Sequence, residues 1–95
     1  MKLFLISQTL NDGCDTYSDA VVAALDKEAA ILIHPDGSAV WVSDKGWCYR
    51  KPDGTLHERY WFVSWVAPSA VSAKYIGEAA QDIEQGVVCA SFHAG

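Results

Sequence analysis

Hydrophobic and polar positions along this chain change over in short blocks, most of which read as strands. The longest apolar runs, 20–25 and 29–33, fall far short of the ~18 residues that a bilayer span needs. The opening Lys2-Leu3-Phe4-Leu5-Ile6 closes on Ser7-Gln8-Thr9 with no small-residue cleavage site after it, so a first strand is expected here and not a leader. Asn11-Asp12-Gly13 is a turn signal, and Thr16 to Ala24, centred on Val21 and Val22, reads as a second strand. The two runs predict an antiparallel hairpin.

Asp26 stands where a helix N-cap would, with Glu28 in the first turn, and the pattern predicts one main helix over about 26–34. His34-Pro35 ends it, because the residue before a proline is pushed out of the helical region, and Asp36-Gly37 completes the stop. Ala29, Ala30, Ile33 and Leu32 are expected on the sheet-facing side. A short strand is expected at 39–43, then a hairpin of 47–51 and 56–66 around the turn Pro52-Asp53-Gly54-Thr55. Further strands are predicted at 71–78 and 87–92, with one helical turn at 79–84 between them, and Val88, Ala90 and Phe92 share one face of the last strand. The fold class is therefore α+β: an antiparallel-rich or mixed sheet with one main helix packed on one face. A lone helix covers one face. The other must face solvent, lie under the aromatic hairpin, or pair with another chain.

The chain's 95 residues fit a single domain, 1–95, with 39–66 as an aromatic-rich hairpin insertion within it. That segment holds all four tryptophans and seven of the eleven aromatic residues. The net charge of −5 is uneven: residues 41–65 are net +1, leaving −6 for the rest. This balance argues against a general nucleic-acid binder and against a strong polyanion mimic. Cys14, Cys48 and Cys89 are odd in number and widely spaced, which suits reduced thiols in a cytoplasm.

No catalytic pattern emerges. His34, His57 and His93 with the cysteines match no zinc spacing, and Asp12, Asp15 and Asp19 lack the EF-hand glycine and terminal glutamate. Cys89 and His93 fall on one side of a strand but about 13 Å apart, beyond hydrogen-bond reach. No phosphate loop, dinucleotide fingerprint or nucleophile elbow occurs. The expectation is a non-enzyme without cofactor or metal and with no membrane partner.

Trp41, Trp47, Tyr49, Tyr60, Trp61 and Trp65 interleave with Lys45, Arg50, Lys51 and Arg59. Three readings compete. These rings fill the core of a small domain; or, with Arg50, Lys51 and Arg59, they form a protein-binding patch rich in hot-spot residue types; or they stack single-stranded bases. The partner expected is another protein, with nucleic acid as the alternative and a homodimer as one way to cover an open face. A small enzyme or ligand-binding domain with a composite pocket is the remaining alternative.

Leu5-Ile6-Ser7-Gln8-Thr9, the run Asp15-Thr16-Tyr17 to Ala23, Ile33-His34-Pro35, and the tail from Ile76-Gly77-Glu78-Ala79 through Cys89-Ala90-Ser91-Phe92-His93-Ala94-Gly95 resemble a group of small phage and prophage proteins. The likeness covers both ends of the chain and leaves out 38–66. It implies a viral or prophage origin and brings no catalytic residues with it. The layout of hairpin, helix and further strands is also similar to that of several small anti-CRISPR proteins of phages. This implies action in the cytoplasm of a bacterial host by attachment to a host protein, a defence component being one such target, though layout does not fix function.

Overall fold

A computed structural model describes residues 1–10, 16–37, 39–57 and 65–93. β1 (Lys2–Ser7) and β2 (Thr16–Ala24) form the antiparallel hairpin that their patterns predict, with Phe4 opposite Val22 and Ile6 opposite Ala20. After β2 come a single helical turn, α1 (Lys27–Ala30), and a small second sheet of β3 (Ala39–Val42), β4 (Gly46–Arg50) and β5 (Leu56–His57). A 3-10 turn (Pro68–Ala70) leads into β6 (Ser72–Glu78), and β7 (Gly86–His93) ends the order. The larger sheet runs β6-β1-β2-β7, with every pairing antiparallel.

The main helix expected over 26–34 is absent; the fold is dominated by sheet. The start is as expected: the Asp26 carboxylate accepts the Ala29 N–H at 2.8 Å. The helix does not propagate. Leu32 N–H bonds to the Ala29 carbonyl and Ile33 N–H to the Ala30 carbonyl, contacts three residues apart that tighten the chain into a 3-10 exit. Pro35 has no N–H for the next helical bond, and Ile31 and Ile33 are β-branched. One turn with such an exit is too short to be stable alone and depends on packing. Asp26→Ala should therefore lower stability by about 1 kcal/mol, within the usual range for a lost cap, read as a fall in the urea midpoint at unchanged m-value.

The helical turn expected at 79–84 is a β-turn instead, closed by Ile83 N–H on the Ala80 carbonyl, and Gly86 opens β7 rather than ending a helix. In the run expected as a strand over 56–66, Leu56 and His57 are strand and Trp65 and Val66 are not; residues 58–64 lie outside the described ones.

The register assigns the faces of the larger sheet. Phe4 and Ile6 of β1, with Ala20, Val22 and Ala24 of β2, point into the core, where Ala30 and Trp65 meet them and Ala73 and Val87 pack alongside. Burying these side chains supplies most of the stability of so small a domain. On β7 Val87 and Ala90 fall on the core side of the sheet, opposite Val22 and Ala20, so Val88 does not share a face with Ala90 as expected. A bulge causes this: Val22 pairs with Val87 and Val21 with Cys89, leaving Val88 as the extra residue.

Candidate functional site

Two features follow from this arrangement: a ring cluster on the core side and, on the other side, a face that no element among the described residues covers.

The ring cluster centres on His34, which is 1% exposed. The turn His34-Pro35-Asp36-Gly37 closes by Gly37 N–H on the His34 carbonyl, with Gly37 at a positive φ of 80° that favours glycine. Asp36 N–H donates to His34 Nδ1 at 3.1 Å. The Asp36 carboxylate also lies 3.6 Å from Nδ1. This approach is an ion pair only when the ring is protonated. Three rings meet His34 at centroid distances of 5.1 Å (Trp47), 6.3 Å (Trp65) and 6.5 Å (Tyr17). Trp41 stacks edge-on against Trp47 at 5.2 Å, directly across β3 and β4. Trp47 Nε1–H donates to the Val66 carbonyl at 2.9 Å and ties the small sheet to the body.

These contacts decide where the sequence-predicted residues stand. Trp65 is 7% exposed and belongs to the core, so it has little surface to give a partner. Trp41, Trp47 and Tyr49 share one side of the small sheet and are half-buried. Arg50 is exposed and Lys51 half-buried at the far end of β4. Arg59, Tyr60 and Trp61 lie outside the described residues. Of the four described rings, Trp65 and Trp47 pack against the body and Trp41 packs on Trp47. Among the described residues no three His, Cys, Asp or Glu side chains gather as a metal site would require.

Burial and the nearby Asp36 carboxylate, in that order, push the Tyr17 hydroxyl above its ordinary value of 10.0. The folded chain then holds a proton that the unfolded chain releases above pH 10. Tyr17's contribution to stability is full below pH 10 and is lost as the pH rises through the raised folded value. Tyr17→Phe should flatten that alkaline fall in melting temperature; an unchanged alkaline slope would show that Tyr17 does not cause it.

On the opposite side of the larger sheet, Leu3 and Leu5 of β1 stand beside Ala23 and Val21 of β2, and Cys89 of β7 continues the row. Leu3, Leu5 and Val21 are half-buried, Ala23 is fully buried and Cys89 is exposed, and none of the five belongs to the core cluster. Bulges leave two further exposed apolar side chains on the flanking strands β6 and β7. Ile76 is the extra residue between Tyr75 (opposite Phe4) and Gly77 (opposite Leu3), and it is 47% exposed; Val88 is 48% exposed. Around this strip stand Ser7, Asp19, Ser72, Ser91 and Lys74. Neither α1 nor the small sheet covers it, since Ala30, Trp47 and Trp65 all pack on the core side. The sequence carries a signal for this face: β1 is apolar at four successive positions, Leu3 to Ile6, as in a strand that is apolar on both sides.

No family model matches the chain, and no curated protein or solved structure shows significant similarity to it. Among the described residues no helix is long and apolar enough to cross a membrane.

Proposed function

We propose that this chain is a small accessory protein of phage type that acts by docking on a host protein, without catalysis, and that the open face of its larger sheet is the docking surface. The observation that carries the reading is the strip of Leu3, Leu5, Val21 and Cys89, which no element among the described residues covers, with polar side chains at its rim and Ile76 and Val88 exposed on the flanking strands. An apolar centre within a polar rim is the anatomy of a protein interface, and contiguous apolar surface on a small monomer usually marks one. Phage origin rests on the likeness of the chain's two ends to small phage and prophage proteins. An inhibitor of a host defence system is the particular role that the layout suggests.

Nucleic-acid stacking through the aromatic segment is less well supported, because Trp41 and Trp47 pack on each other and Trp47 also packs on His34. The test is capture by the immobilised native chain compared with a Leu5→Glu variant. A host protein retained by the first and lost from the second is the expected result. Equal retention by both would overturn the reading. Sedimentation of the native chain adds a second check. A monomer is expected, and a dimer that Leu5→Glu dissociates would assign the face to a second copy instead of a host protein.

A further inference from the structure

A cleft of about 570 Å³ opens between the segment after α1, the small sheet and the entry to β7. Its volume falls within the ~300–1,000 Å³ typical of small-molecule sites. Leu32, Ile33, Val40 and Val87 give it apolar walls, and His34 forms part of its lining. Arg50 and Lys51 also line it, and no carboxylate does among the described residues. In a chain of net charge −5 this is a local reversal of sign. Arg50 and Lys51 give the lining its positive charge, and the Asp36 carboxylate, 3.6 Å from the lining His34 ring, lies just behind it.

Neither cation is neutralised by another of the described residues. Among the described residues no carboxylate lies within ion-pair distance of Arg50 or Lys51. Asp53, the nearest carboxylate along the chain, accepts both the N–H and the hydroxyl of Thr55, at 3.0 and 2.7 Å. The backbone under the cations is fixed: Lys51 N–H donates to the Thr55 carbonyl and the Lys51 carbonyl accepts Gly54 N–H, both at 2.9 Å. Gly37 and Gly86 also line the cleft, and a Cβ built on either would meet nothing within 4 Å.

From these observations we infer that the cleft binds a small organic anion, a phosphate or carboxylate group on an apolar body. Arg50 and Lys51 take the anionic group, and Leu32, Ile33, Val40 and Val87 take the body. Arginine offers a planar fork of donors that suits either head group, and lysine adds a point charge. The site shares no residue with the open sheet face, so it stands or falls independently of the docking reading.

Amide chemical-shift titration of the full chain tests this, with phenyl phosphate and benzoate as probes and phenol as the neutral control. Saturable shifts are expected at Gly37, Arg50, Gly86 and Val87 with at least one anionic probe, and phenol should bind at least about tenfold more weakly. Arg50→Gln with Lys51→Gln should weaken the anion by about tenfold or more while the rest of the amide spectrum is preserved. Should that variant not fold, salt titration of the native chain decides: added salt should weaken the anion and leave phenol unaffected. Absence of saturable shifts, equal binding of phenol, or insensitivity to both the variant and salt would overturn the inference.

Discussion

Trp65→Ala should be the most damaging single substitution in the described core, costing about 3–5 kcal/mol, the usual range for truncating a buried aromatic. Small domains have total stabilities of only about 5–15 kcal/mol, so this loss should leave a chain largely unfolded near body temperature. The tryptophans also differ in a way that phenylalanine can expose. Trp65 Nε1 is buried with no hydrogen-bond partner among the described residues, a condition that costs about 1–3 kcal/mol. Trp65→Phe removes that orphaned donor while keeping most of the buried ring, so its net cost should be small. Trp47→Phe instead takes away the donor on the Val66 carbonyl, so its loss has no such offset. Urea unfolding of the two phenylalanine variants should show a smaller loss of stability at Trp65 than at Trp47. Equal losses would mean that the indole nitrogens do not decide the difference.

The central role of Trp65 illustrates what the sequence made legible. Strand positions followed from alternation, and β2 fell on Thr16–Ala24 as its pattern predicts, because turn residues and apolar periodicity are local signals. Asp26 was legible as a cap for the same reason. The helix was overestimated because the run Ala29 to Ile33 fits a short helix as well as a 3-10 exit, and propensity cannot choose between them. The role of His34 was not legible. A histidine before a proline announces a turn, but only the folded chain brings Tyr17, Trp47 and Trp65 around its ring. The cleft likewise depends on Leu32, Arg50 and Gly86, which lie far apart in sequence. The open face was partly legible: both sides of β1 are apolar, and a single helix cannot cover both. Bulges at Ile76 and Val88, on the strands that flank that strip, leave no mark in the alternation.

The second large effect should be on binding rather than folding. Leu5 pairs across the sheet with Lys74. Leu5→Glu therefore places a carboxylate opposite an ammonium on the open face, a pairing that supports antiparallel strands. Its effect on stability should stay within about 1 kcal/mol, since Leu5 is only half-buried and lies outside the core cluster. Its effect on a docked partner should be larger, about 2 kcal/mol or more, because a charge at the centre of an apolar contact is left desolvated and unmatched by the partner. Thermal unfolding and partner affinity measured on the same preparation separate the two effects. A variant that binds as tightly as the native chain would remove Leu5 from the interface.

Cys89 offers the most direct view of the docking face. It is an exposed free thiol in the row of Leu5 and Val21, while Cys48 is a buried free thiol in the small sheet. Alkylation followed residue by residue with mass spectrometry reports both in one experiment, on the free chain and on the chain bound to a captured host protein. The account predicts rapid modification of Cys89 in the free chain, slow modification of Cys48 in both states, and protection of Cys89 by about tenfold or more in the complex, as burial at an interface core requires. A complex in which Cys89 reacts as fast as in the free chain would place the partner elsewhere and contradict the account.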